Sequence, residues 1–98
     1  MSGGFGAESV PRRRAGAEGE RFGADFILLD AEGRTLRGLN ATAMRVWELS
    51  DGTRSARSVA EVVAREFSMD VARSLTDTLR FLSELARLGL IDELQEVR

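Results

Sequence analysis

The stretches LNATAMRVWELSDG, residues 39–52, and DTLRFLSELARLGLI, residues 77–91, decide the fold, because strand-like sequence lies only ahead of them. In the first, Asn40 or Thr42 caps a helix in which Ala43, Val46, Trp47 and Leu49 recur at helical spacing. Asp51-Gly52 ends that helix, with Gly52 suited to the left-handed position just past a helix end. Between the two stretches, Ser58-Val59-Ala60-Glu61 matches a capping box and predicts a second helix over about 59–67. Its inner face carries Val59, Val62, Val63 and Phe67, and Phe67 and Trp47 are assigned to the core. The second stretch closes a third helix, capped by Asp70, reaching about Leu88 and stopped by Gly89.

The apolar face of the third helix is broader than one packing seam needs. At about 100° per residue, Val71, Leu75, Leu79, Leu82 and Ala86 share a stripe, flanked by Thr78, Phe81, Leu85 and Leu88. Either the whole face is buried, or the flank of Phe81 and Leu88 lines a groove with Ser74, Asp77 and Glu84 on its polar margin.

Toward the N-terminus, RFGADFILLD (21–30) reads as a strand, Ala31-Glu32-Gly33-Arg34 as its turn, and Thr35 to Leu39 as a short return strand. The pattern over 12–20 is weak, and extended chain is expected there. Gly3, Gly4 and Gly6 without periodicity mark the start as a tail. The expected organisation is a disordered tail over 1–11, one domain over 12–93 and a C-terminal tail over 94–98. The class is α+β, a small antiparallel sheet of two or three strands followed by three helices.

Composition narrows function. The 98 residues contain no His, Cys, Lys or Tyr, so a hydroxyl nucleophile has no obvious base and thiolate metal sites are excluded. Paired carboxylates remain, but acid–base work on a substrate needs a cleft that a chain of this length would struggle to enclose. The expectation is no enzyme, no metal and no cofactor. Hydrophobic content of 43% and charged content of 31% are those of a folded soluble domain. The longest apolar run, residues 26–29, is too short for a bilayer, and no signal-peptide core is evident, so a cytoplasmic protein without a membrane partner is expected. Net charge is −2 and all fourteen basic residues are Arg; the one cluster, Arg12 to Arg14, is read as a solvated tail or edge strand rather than a nucleic-acid arm.

Taken together, FILLDAEG (26–33), LNATAMRVWELSDG, SVAEVVAREF (58–67) and the ending Asp77, Phe81, Leu82, Leu85, Gly89, Leu90, Ile91 resemble the PqqD-like peptide chaperones, also called RiPP recognition elements. Two departures stand out: the link TRSAR (53–57) is longer than in typical members, and VPRRRAGAEGE (10–20) matches poorly. The resemblance implies a winged helix-turn-helix-like fold that captures the leader of a ribosomally made precursor peptide and presents it to a modifying enzyme, such as a radical or cyclising one. It further implies that the leader adds as a strand to the third strand and lies against the third helix. Carried onto this chain, Thr35, Leu36 and Arg37 would form the pairing strand, Phe81 an apolar wall, and Arg73, Asp77, Arg80 and Glu84 candidates for charge selection. An Arg80–Glu84 surface pair is the plain alternative for two of these.

Two other functions compete. DNA binding needs a basic recognition helix; here Arg73, Arg80 and Arg87 are offset by Asp77 and Glu84, IDELQEVR (91–98) is acidic, and no wing hairpin is expected after Gly89, so no nucleic-acid partner is expected. A homodimer or scaffold built on the flank of Phe81 and Leu88 is the third possibility.

Overall fold

A computed structural model describes residues 5–94, the side chains of Thr35 and Leu36 excepted. In chain order the elements are β1 (Val10–Arg13), β2 (Glu18–Phe22), β3 (Asp25–Leu29), β4 (Thr35–Leu39), α1 (Ala41–Leu49), α2 (Ala56–Phe67), α3 (Val71–Arg87) and β5 (Ile91–Leu94). β2, β3 and β4 form an antiparallel sheet in that order, and β1 pairs with β5 in a second, two-stranded one. The class is α+β, with three helices and two small antiparallel sheets among the described residues.

The strand expected over 21–30 is two strands joined at Gly23-Ala24. Gly23 takes φ +61, which an L side chain rarely adopts, and this lets the chain reverse where β-rich residues alone suggest continuity. The β3–β4 turn is as expected, with Gly33 at φ +83. Asp30 pins it: the amides of Arg34 and Glu32 donate to Asp30 Oδ1 at 2.9 and 3.0 Å, and Arg34 Nε donates to Oδ2 at 2.7 Å. The Arg34 amide first, then its guanidinium, holds the Asp30 carboxyl below its usual range against the opposing effect of desolvation.

Asn40 caps α1, its side chain accepting from the Ala43 amide, and Asp70 caps α3 through the Arg73 amide. In α2 the cap differs from the expected one. Ser55, not Ser58, accepts from a first-turn amide, that of Ser58, and the helix starts at Ala56, absorbing part of the long link.

The tail expected over 1–11 differs too. Residues 1–4 lie outside the described chain, but Phe5 is buried and its amide donates to Ser83 Oγ at 2.9 Å. The amides of Ala56 and Arg57 donate to Ser9 O and Ala7 O, both at 2.8 Å. Helix starts leave their first amides without intrahelical partners, and here the N-terminal strap supplies acceptors. At the other end, β5 replaces the start of the expected tail, its Leu94 pairing with Val10; residues 95–98 lie outside the described chain.

The arginine cluster is absorbed by the fold. Arg13 Nη1 donates to Trp47 O and Glu48 O, both at 2.8 Å, capping the C-terminal carbonyls of α1, while Arg12 and Arg14 pair with Asp92 on β5. Trp47 is in the core, with Leu28, Val59, Val63, Leu82, Leu85 and Ile91. Phe67 is not: it closes the last turn of α2 and is 37% exposed. On α3 the buried residues are Ser74, Thr78, Phe81, Leu82 and Leu85, while Val71 and Leu88 are about half exposed. At about 100° per residue, the buried face is rotated by about 80° from the stripe centred on Leu75 and Leu82 toward the Phe81 flank.

Candidate functional site

β4 hydrogen-bonds β3 on one side; among the described residues its other edge has no strand partner. A bulge at Leu28/Leu29 leaves Leu36 without a β3 partner, since Arg37 faces Leu28 and Thr35 faces Leu29. Residues facing each other across strands lie on the same side of the sheet, so Arg37 points with the fully buried Leu28 toward the helices. Its guanidinium sits over the Phe81 ring, 5.6 Å from the centroid, and forms an ion pair with Glu84.

That contact crosses a groove of about 330 Å³. Arg37 and Asn40 line it from β4 and its end, Thr42, Ala43 and Val46 from α1, and Val63 and Met69 from α2 and the turn after it. The α3 wall is Ser74, Asp77, Thr78, Arg80, Phe81 and Glu84. The floor is apolar and the rim charged. Ser74, buried at 1% exposure, donates from Oγ to Ala60 O at 2.8 Å, so its polarity is satisfied by α2 and not offered to the groove.

Of the residues singled out from sequence, Arg37, Asp77, Arg80, Phe81 and Glu84 meet around this groove. Thr35 and Leu36 precede Arg37 in β4. Arg73 lies outside it, exposed, with Nε 3.7 Å from Asp77 Oδ2. Glu84 pairs with Arg37 on β4 rather than with Arg80. Phe81 is at once core and groove floor: only 9% of it is exposed, yet it lines the groove. Leu88 is exposed away from the lining. Val63, expected on the inner face of the second helix, and Met69, which the sequence reading did not single out, also enter the lining, on either side of the α2–α3 turn where Ser68 takes φ 54.

Of the carboxylates lining the groove, Asp77 is held by Arg73 and Glu84 by Arg37. Among the described residues no group of three or more His, Cys, Asp or Glu is placed to hold a metal ion, and no helix is long and apolar enough to cross a membrane. What the arrangement offers is an open strand edge, an apolar floor and fixed charges, the elements of peptide recognition by strand addition.

The family model described as coenzyme PQQ synthesis protein D (PqqD) matches residues 25–91, more than half of the chain. Among solved structures, the chain is similar to the PqqD truncation of Methylobacterium extorquens PqqCD, described as a functional and stand-alone RiPP recognition element. The identity is 27%, the TM-score 0.76, and the match covers 90% of this chain and 94% of that one. It shares its fold with TbiB1 in complex with the TbiA(beta) leader peptide, at 22% identity and TM-score 0.67 over 83% of this chain and 94% of that one. A lasso peptide synthetase B1 complexed with the leader peptide is likewise similar in fold, at 20% identity and TM-score 0.68 over 85% and 98%. No curated protein sequence matches the chain.

Proposed function

The chain belongs to the PqqD family, and from that premise we propose that it is a non-catalytic module that captures the leader of a ribosomally synthesised precursor peptide and presents it to a modifying enzyme. The observation that carries this is the unpaired edge of β4 beside a groove floored by Phe81. Backbone groups of β4 supply affinity through strand pairing, and the groove selects alternate side chains of the bound strand. Thr35, Leu36 and Arg37 are the pairing residues of this proposal, Phe81 its apolar wall, and Asp77, Arg80 and Glu84 its charge selectors. Arg73 contributes at one remove, by holding Asp77. The binding unit takes in the strap from Phe5 and both strands β1 and β5, beyond the 12–93 expected from sequence. Precursor peptides leave the ribosome in the cytoplasm, so capture is placed there, and the enzyme served is a radical or cyclising one.

DNA binding is disfavoured by what the cations do: Arg12, Arg13 and Arg14 are engaged by Asp92 and the end of α1. The groove reading also accounts for the Phe81 flank without a second copy. The test is calorimetric titration of the full chain with synthetic leaders of short precursor genes neighbouring its own. Saturable binding lost on Phe81→Ala, with the variant still folded, supports capture in the groove; equal binding by Phe81→Ala places it elsewhere, and no binding by any leader rejects the proposal.

A further inference from the structure

Charged side chains alternate along one stripe of α3, Arg73, Asp77, Arg80, Glu84 and Arg87, at steps of four and three residues that keep them on a common face. The two carboxylates are already engaged within the fold: Asp77 by Arg73 at 3.7 Å, and Glu84 by Arg37 from across the groove. Arg80 lies between them on the groove rim and has no ion-pair partner among the described residues. Over Arg37, Arg73, Asp77, Arg80 and Glu84, three cations meet two anions. One positive charge is left over, in a chain whose net charge is −2.

A strand added to β4 turns alternate side chains toward α3, the side on which Arg37 meets Phe81 and Glu84. A basic side chain arriving there would face Arg80 and would have to break an existing pair to find a carboxylate. An acidic one meets Arg80 unopposed and can share the Arg37 guanidinium, which has donors to spare. Resting on the leader-capture reading, we infer that the leader segment pairing with β4 presents an acidic side chain toward α3, with Arg80 as the residue that selects it. Exposed charge contacts of this kind change affinity by roughly twofold to fivefold and weaken as salt rises.

The probe is a displayed library of strand-length random peptides, selected on the full chain and on Arg80→Glu, whose exposed position leaves the core untouched. Binding of the winners is mapped by amide shifts of the labelled protein. The wild type is expected to enrich Asp or Glu at one inward position and Arg80→Glu to enrich Arg or Lys there, while Arg80→Gln loses the preference without reversing it. A selected peptide carrying Glu→Lys should bind the wild type about twofold to fivefold more weakly and recover on Arg80→Glu. Winners that shift β4 and α3 amides without an acidic preference, or with one that Arg80→Glu leaves unchanged, overturn the charge inference and leave leader capture standing. Winners that bypass β4 and α3, or no winners at all, overturn leader capture and the charge inference with it.

Discussion

Replacing Gly19 by Ala sets two effects of opposite sign against each other. Gly19 lies in β2 at a φ that L residues accept, so Ala should stabilise by about 0.4–1 kcal/mol through the lower entropy of the unfolded chain. A Cβ at this position, however, falls 2.8 Å from Met44 Cε, 2.9 Å from Trp47 Cδ1 and 3.0 Å from Met44 Sδ. Carbon atoms pack best at about 3.5–4.0 Å, so α1 and β2 must part by several tenths of an ångström or more. The Met44 thioether can swing aside. Trp47 cannot do so easily: it is 3% exposed, Arg13 donates to its carbonyl, and the Arg13 guanidinium lies 5.9 Å from its ring centroid. Overpacking of this sort costs about 1–3 kcal/mol, which outweighs the entropic gain. The expected result is a lower urea midpoint at unchanged slope, with Tm down by about 4–8 °C for each kcal/mol lost. A midpoint equal to or above that of the wild type would refute the argument that β2 and α1 touch through Gly19.

Phe5→Ala should destabilise the chain by about 3–5 kcal/mol, since Phe5 is 7% exposed in the core cluster, and chemical denaturation reads this directly; an effect near zero would return residues 5–9 to a tail. Ser74→Ala removes the buried bond to Ala60 O between α3 and α2 and should cost about 1 kcal/mol in the same assay. Stability should also fall in acid. Asp30, Asp51 and Glu66 all have carboxyls held below their ordinary values, chiefly by the Arg34 amide, the Thr53 hydroxyl and the Arg45 guanidinium respectively. A folded pKa below the unfolded one gives stability that is present above the unfolded value and lost as pH falls through the folded one. Urea midpoints should therefore hold steady at neutral pH and drop between about pH 5 and pH 2, and Glu66→Gln should shrink the drop. A midpoint independent of pH across that window would contradict the bonds assigned to these groups.

Helix ends were legible because their chemistry is local: Asn40 and Asp70 accept from amides three residues on, and Gly52 and Gly89 take positive φ. Ser58 misled for the same reason. A second serine three residues earlier has equal capping chemistry, and only the strap carbonyls of Ala7 and Ser9 favour the earlier start. Pairings distant in sequence left no local trace. β1 and β5 join the two ends of the chain, and neither has a partner that periodicity within its own segment can reveal. On α3 the flank of Thr78, Phe81 and Leu85 was legible as part of the apolar face, but Ser74 was placed on its polar margin, because nothing local shows that its hydroxyl is buried through a bond to Ala60 O. Much of the groove was visible in residue names, since Arg37, Asp77, Arg80, Phe81 and Glu84 meet there. The Arg37–Glu84 contact was not, because a link between a strand and a helix depends on how they dock rather than on their spacing.

The central claim, that β4 takes a leader as an added strand, is tested most directly by amide hydrogen exchange and chemical shifts of the isotope-labelled chain, with and without a neighbouring precursor's leader. Strand addition predicts saturable shifts on Thr35–Leu39 and around Phe81, with slowed exchange at β4 amides that face no partner in the free protein. Saturable binding whose shifts and protection fall elsewhere, with β4 exchanging as in the free chain, would contradict it.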